Sequence, residues 1–73
     1  MIKTAKDLGI LIKQHRKKMK LSQADFAGIC GVGNRFIVDL EAGKPTIQFD
    51  KALYVAGNLG LAICVIKKGE EAL

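Results

Sequence analysis

The side chains best suited to metal binding or nucleophilic chemistry are one histidine and two cysteines, His15, Cys30 and Cys64. Their spacing matches no zinc-binding pattern, and two cysteines are too few for a disulfide framework. We interpret the cysteines as small buried hydrophobic residues of a protein in a reducing cytosol. His15 has no obvious Ser or Cys partner, so we interpret it as an ordinary interhelical or surface histidine.

A glycine-rich stretch, Gly31-Val-Gly33, is a hint of a phosphate-binding loop. In a G-x-G-x-x-G loop the last glycine would stand where this chain has Phe36, and no strand precedes the stretch. Ser22 is explained as a helix cap, and no pair of carboxylates occupies an apolar site. We therefore expect no enzymatic activity, no metal and no cofactor.

Length and composition describe one small, basic domain. The chain has 73 residues and a net charge of +5. A domain of this size buries only about 60% of its unfolded surface, which leaves no room for a large cleft. The charge favours an anionic partner, whereas an aromatic content of 5% argues against stacking on single-stranded nucleic acid. The longest apolar run, residues 61 to 66, is too short to cross a bilayer, so we expect a cytoplasmic protein.

Apolar spacing predicts two helices in the first half of the chain. The first is capped by Thr4, ends near Lys20 and carries lysines on its outer face. The second is capped by Ser22 and ends at Gly31, a residue that adopts positive φ without strain. The predicted buried positions of the two helices are Leu8, Leu11, Ile12, His15, Met19, Phe26, Ala27 and Cys30.

Two more helices are predicted before residue 60. The third covers residues 34 to 41 and is terminated by Gly43, and the fourth is capped by Thr46. The predicted buried positions of these helices are Ile37, Leu40, Phe49, Ala52, Leu53, Ala56 and Leu59. The fold class is therefore all-α, a compact four-helix domain over residues 1–60.

Residues 61 to 66, after the fourth helix, are apolar at every position and rich in β-branched residues. This run predicts a β-strand buried on both faces. No second strand is visible to pair with it, so we expect pairing with its own copy across a two-fold homodimer; a short fifth helix is the alternative. The dimerisation strand occupies residues 61–68, before a tail at residues 69–73. Its pairing residues are Leu61, Ile63, Cys64, Val65 and Ile66.

The second and third predicted helices, residues 22 to 41, form a helix-turn-helix arrangement. Over about residues 5 to 67, which include this arrangement, the chain is similar to the phage-repressor-like (Cro/C1, XRE) family of DNA-binding domains. The residues that carry the resemblance are Leu8-Gly9, Arg16, Leu21-Ser-Gln23, Ala27, Gly31, Ile37, Glu41 and Gly43. Residues 33 to 46 more particularly resemble the HipB-type antitoxins, which also end in a dimerisation strand.

The resemblance implies that the N-terminal end of the third helix contacts base edges in the major groove. It places Asn34 and Arg35 there, and their side chains suit adenine and guanine. Val38 and Asp39 fall on the same exposed face, where Asp39 suits the amino group of cytosine. Phe36 departs from the small polar residues common in the family, and either a thymine methyl or a neighbouring protein surface would suit it.

Phosphate contacts are a separate class, because they position the protein without specifying sequence. The family's usual contact at the start of the second helix falls on Gln23, and the lysine face of the first helix suits either phosphate contact or plain solvation. The candidate phosphate contacts are Gln23, Gly33, Lys44, Lys13 and Lys17. The resemblance also implies an ion pair between Arg16 and Glu41 as a structural link between the first and third helices.

The family resemblance implies a homodimer that represses transcription from an operator with two-fold symmetry. Two recognition helices about 34 Å apart would meet half-sites one helical turn apart. The HipB-type resemblance implies that the protein represses its own operon and neutralises a HipA-like Ser/Thr kinase toxin. Two alternatives stay open: a stand-alone phage-type or housekeeping repressor without a toxin, and a protein-interaction module that no longer binds DNA.

Overall fold

The computed structural model describes residues 2–63, which fold as four α-helices. They are α1 (Ala5–Lys18), α2 (Gln23–Cys30), α3 (Asn34–Glu41) and α4 (Phe49–Asn58). Residues 2–63 contain no strand, and none of their helices is long and apolar enough to cross a membrane. The predicted all-α class and the predicted order of four helices are confirmed.

Local capping sets the ends of α1 and α2. The Thr4 hydroxyl accepts a hydrogen bond from the Asp7 amide at 3.1 Å, and the Ser22 hydroxyl accepts one from the Asp25 amide at 3.0 Å. α2 ends at Gly31, whose φ of 71° lies in the left-handed region that glycine adopts without strain. Both predicted caps and the predicted glycine stop are confirmed.

Side chains from all four helices meet in one core. The largest fully buried side chains are Ile12, Phe26, Ile37, Leu40 and Val55. Cys30 is 2% exposed, and burial raises the pKa of its thiol. Because burial disfavours the charged thiolate, Cys30 is the small buried hydrophobic residue that the sequence predicts.

Two predicted details at the ends of helices are wrong. Thr46 does not cap α4, because the helix begins at Phe49 without a side-chain cap hydrogen bond. Met19, predicted as buried, lies just beyond the end of α1 and is 51% exposed.

His15 is half-buried, and its Nδ1 lies 3.0 Å from the carbonyl oxygen of Leu11 one turn earlier. That contact within one helix agrees with the structural interpretation of His15.

The buried face of α4 also differs from the prediction. Val55 is fully buried together with Ala52 and Ala56, whereas Phe49 is 57% exposed and Leu53 is 36% exposed. Leu53 is one residue beyond Ala52, which is about 100° around the helix axis. The face that carries Ala52, Val55 and Ala56 packs on the core, so it turns Leu53 outward. The prediction that Phe49 and Leu53 belong to the core is therefore wrong.

The chain after α4 turns back onto the core. The Leu61 amide donates a hydrogen bond to the Ala56 carbonyl at 3.1 Å, and the Leu61 side chain packs against the core. Residues 61–63 have no regular secondary structure in the single chain, and Ile63 is 39% exposed. The other predicted strand residues and the tail at 69–73 lie outside the described residues. These strand residues are Cys64, Val65 and Ile66.

Candidate nucleic-acid interface

A tight turn at residues 31–33 joins α2 to α3. The Val32 amide donates a hydrogen bond to the Ala27 carbonyl at 3.0 Å, and the Val32 side chain packs against the edge of the core. Gly33 then precedes α3 without any side-chain cap hydrogen bond. Val32, an apolar residue between two glycines, anchors the turn to the core. No side chain caps the backbone amides in the first turn of α3.

Helix α3 buries one face and exposes the other. Ile37 and Leu40 are 0% and 1% exposed, and they face the core. Asn34 and Arg35 are exposed on the first turn, where 84% of the Arg35 side chain is accessible. Val38 is half-buried between the two faces. The two principal base contacts predicted from the sequence therefore lie clear of the core at the N-terminal end of α3.

Phe36 packs against its own chain. Its side chain is half-buried at the edge of the core. The Nζ atom of Lys51 in α4 lies 5.6 Å from the centroid of its ring, within the range of a cation–π interaction. Phe36 thereby links α3 to α4. Lys51 could not be predicted from the sequence as the partner of Phe36, because no local spacing pairs residues 36 and 51.

Asp39 lies between two cationic side chains. Its Oδ1 atom is 3.2 Å from Nε of Arg35, and its Oδ2 atom is 3.6 Å from Nζ of Lys44. The Lys44 amide also donates a hydrogen bond to the Asp39 carbonyl at 3.1 Å. The Asp39 side chain is 20% exposed, far less than its two partners. Three residues predicted as separate DNA contacts therefore form one charged cluster.

A buried ion pair connects α1 to α3. Nε of Arg16 donates to Oε2 of Glu41 at 2.6 Å, Nη2 donates to Oε1 at 2.9 Å, and Nη1 donates to the Leu21 carbonyl at 2.6 Å. Arg16 is 6% exposed and Glu41 8%. The hydrogen bonds to Glu41 raise the pKa of Arg16, so its guanidinium stays charged despite burial. The predicted structural ion pair is confirmed.

Gln23 belongs to the same network. Its amide nitrogen Nε2 donates a hydrogen bond to Oε1 of Glu41 at 3.2 Å, and its side chain is half-buried. A carboxylate only accepts, so the amide nitrogen must face Glu41. Within residues 2–63, the second N–H and the amide oxygen of this side chain form no hydrogen bond. Gln23 is thus held in one orientation at the start of α2, an arrangement that sequence analysis did not foresee.

The other predicted phosphate contacts lie at the surface. Lys13 and Lys17 are exposed on α1, and 53% of the Lys44 side chain is accessible. Gly33 is exposed, and apart from its chain neighbours no atom of residues 2–63 lies within 4 Å of the position that a Cβ would take. An outside group can therefore approach its backbone closely. Within residues 2–63, no three His, Cys, Asp or Glu side chains are grouped so that they could hold a metal ion.

Comparison with known proteins decides the family. Residues 12–65, well over half of the chain, match the Helix-turn-helix family. The chain belongs to the Cro/C1-type helix-turn-helix family. It is also 52% identical over 70 residues to an uncharacterized HTH-type transcriptional regulator, y4mF, of Sinorhizobium fredii (strain NBRC 101917 / NGR234). That match covers 96% of this chain and 92% of the relative.

The helix-turn-helix of this family consists of α2, the turn at residues 31–33, and α3. In such domains the second helix is the recognition helix, and its N-terminal residues contact base edges in the major groove. In this helix-turn-helix protein α3 occupies the position of that second helix, and Asn34 and Arg35 of its first turn are exposed. The Arg16–Glu41 pair ties the C-terminal end of α3 to α1.

Proposed function

We propose that this helix-turn-helix protein is a sequence-specific transcriptional repressor that binds an operator with two-fold symmetry. The observation that carries the proposal is the exposed first turn of α3, where Asn34 and Arg35 face away from the core. The name of the Sinorhizobium fredii relative, an HTH-type transcriptional regulator, supports a role in transcription. A net charge of +5 supports an anionic partner. Bound at a promoter, the protein blocks polymerase without any chemistry of its own.

Base contacts and phosphate contacts have separate roles in this proposal. Asn34 bonds adenine and Arg35 bonds guanine, while Val38 makes an apolar contact at the edge of the groove. The phosphate contacts that set the register of α3 are Gln23, Gly33, Lys44, Lys13 and Lys17. The amide of Gly33 and the second N–H of Gln23 suit phosphate oxygens, because both stand beside the N-terminal end of a helix.

Arg35→Ala is expected to lower affinity for the operator about 5- to 150-fold, which corresponds to about 1–3 kcal/mol, and to relax the preference at one base pair. The reason is the loss of two hydrogen bonds to guanine. The measurement titrates the pure protein with the DNA upstream of its own gene and with a scrambled duplex, at two salt concentrations. The parent protein should prefer the upstream duplex at both.

Lys44→Ala is the matched comparison in that titration. Loss of a phosphate contact should weaken binding to both duplexes evenly and make the dependence on salt shallower. If Arg35→Ala kept the full preference of the parent, Arg35 would not contact a base. If the parent bound both duplexes equally and with strong salt dependence, charge alone would account for binding and the proposed repressor function would be wrong.

We propose that the operator is bound by a homodimer in which residues 61–68 of two copies pair as strands. Large apolar side chains are exposed towards the C-terminal end of the described residues, which supports contact with a second copy. They are Phe49, Leu53, Tyr54 and Ile63. A dimer of this kind would hold two recognition helices about 34 Å apart, the separation of half-sites one helical turn apart.

Truncation after Ile63 is expected to give a monomer whose operator affinity is at least about tenfold lower, because two linked half-sites are no longer engaged together. Leu61 stays in the truncated chain, and its packing on the core should preserve the helices. Light scattering after size exclusion gives the oligomeric state, and circular dichroism gives the helix content. A dimer that survives the cut would refute pairing through the strand.

The finer proposal is that this repressor is an antitoxin of a HipA-like Ser/Thr kinase toxin and represses their shared operon. Its support is the resemblance of residues 33 to 46 to HipB-type antitoxins. Co-expression with a kinase-like protein encoded beside the gene should relieve toxicity, and the two proteins should purify together. A repressor whose gene has no such neighbour would be a stand-alone regulator. A chain that bound the kinase but no DNA would be an interaction module.

A further inference from the structure

The carboxylate of Asp39 is occupied on both sides by cations. Oδ1 lies 3.2 Å from Nε of Arg35, and Oδ2 lies 3.6 Å from Nζ of Lys44. Each oxygen keeps a lone pair that could accept from a cytosine amino group. That group would meet a carboxylate that is 20% exposed and already paired with two cations, so a direct contact with a base would gain less than one with an unpaired carboxylate.

Stability does not explain the cluster either. The Arg35 side chain is 84% exposed and that of Lys44 is 53% exposed, so water screens both ion pairs. Within a helix, an acid placed four residues after a cation is also the less favourable order. A carboxylate on the surface that faces DNA repels phosphate as well, so a solely electrostatic attraction to DNA would be stronger without it.

The contact with Arg35 leaves that side chain able to bind. Asp39 meets Nε, the guanidinium nitrogen nearest the main chain, while the side chain as a whole stays 84% exposed. The terminal nitrogens Nη1 and Nη2 are the pair that contacts O6 and N7 of guanine when the guanidinium approaches end-on. If the Arg35 guanidinium is already held in place before DNA binds, the side chain loses less conformational entropy on binding.

The geometry points to Asp39 as a positioning residue that determines specificity: it holds Arg35 through Nε for end-on contact with guanine and lowers affinity for DNA of other sequence. This inference rests on the proposed function, because it requires Arg35 to contact a base. In this inference Asp39 acts by orienting Arg35, and it does not itself contact a base.

Asp39→Asn is the direct test, since it removes the charge and keeps the shape. The substitution raises the net charge of +5 by one. The scrambled duplex should then be bound at least as tightly as before, while the upstream duplex is bound more weakly. The ratio of the affinity for the upstream duplex to that for the scrambled duplex should fall about fivefold or more. This fall should be no larger than the fall that Arg35→Ala causes. Asp39→Glu keeps the charge and should recover part of the ratio.

Asp50→Asn is the matched control, because Asp50 is an exposed acid in the first turn of α4 and does not belong to the cluster of Arg35, Asp39 and Lys44. It adds the same charge and should leave the ratio unchanged. The double variant Arg35→Ala/Asp39→Asn should have the same ratio as Arg35→Ala alone, because positioning has no effect once its target is gone. Thermal unfolding of each variant checks that the fold is kept.

Specific outcomes overturn the inference and separate it from the proposed function. If Arg35→Ala lowers the ratio and Asp39→Asn does not, or if the two effects add, Asp39 does not act through Arg35. Single base-pair changes in the duplex give a further test: both variants should relax the same base pair, whereas an Asp39 that contacts cytosine itself would relax another. If the parent shows no preference between the duplexes, the proposed function fails, and this inference fails with it.

Discussion

Glu41→Ala is expected to destabilise the domain by about 3–5 kcal/mol, because it leaves the guanidinium of Arg16 buried without its partner. Arg16 is 6% exposed and donates two hydrogen bonds to Glu41. A domain of this size rarely has more than about 3–5 kcal/mol of stability in total. The variant should therefore be largely unfolded at 25 °C. Circular dichroism without urea gives the helix content of each protein, and urea unfolding gives the free energy of unfolding of those that fold.

Two comparisons separate loss of the ion pair from loss of any acid. Asp50→Ala removes an exposed carboxylate and should change the free energy of unfolding by less than about 1 kcal/mol. The double variant Arg16→Met/Glu41→Leu replaces both charges by apolar groups and should recover most of the lost stability. If Glu41→Ala itself cost less than about 1 kcal/mol, the pair would be hydrated in solution, and its role in orienting α3 would be lost.

The parts of the fold that local chemistry determines could be predicted from the sequence. The caps at Thr4 and Ser22 and the stop at Gly31 each depend on a few adjacent residues. The buried face of α4 could not, because apolar residues lie on more than one side of that helix. Leu53 and Val55 are equally good core residues by type, and only packing against the other helices decides that Val55 is buried.

The candidate site divides in the same way. Exposure of Arg35 follows from the burial of Ile37 and Leu40 on a helix of known phase, so the sequence was sufficient there. Asn34 lies on the same side as Ile37, and it is exposed at the first position of the helix. The spacing of Arg35 and Asp39 also allows a pair within one helix. Lys44 reaches the same carboxylate only because the chain bends back after α3.

Contacts between helices were harder to predict still. Gln23 and Glu41 are 18 residues apart in the sequence, and Phe36 and Lys51 are 15 apart. Local spacing therefore predicts neither contact. The Arg16–Glu41 pair was accessible only through resemblance to a family in which it recurs. Apolar spacing in one sequence indicates the buried face of α3 but not that of α4, and the partners of side chains from different helices require the fold.

Gly9→Ala is expected to destabilise the domain by about 2 kcal/mol, although alanine favours a helix by about 1 kcal/mol over glycine. A Cβ at Gly9 would lie 2.8 Å from the carbonyl oxygen of Glu41 and closer still to that of Leu40. These are backbone atoms of α3, so they cannot move aside as a flexible side chain would. The two helices would have to separate, which would also strain the Arg16–Glu41 pair that spans them.

Gly28→Ala makes the comparison decisive, because Gly28 lies in α2 and, outside the backbone of that helix, no atom of the described part of the chain is within 4 Å of the position of a new Cβ. The same substitution should there stabilise the domain by about 0.5–1 kcal/mol. The two variants should therefore differ by about 3 kcal/mol in urea unfolding, with opposite signs relative to the parent protein. Equal effects would mean that α1 and α3 do not cross closely at Gly9. Opposite effects would show that Gly9 is needed for close approach of the helices and not for flexibility of α1.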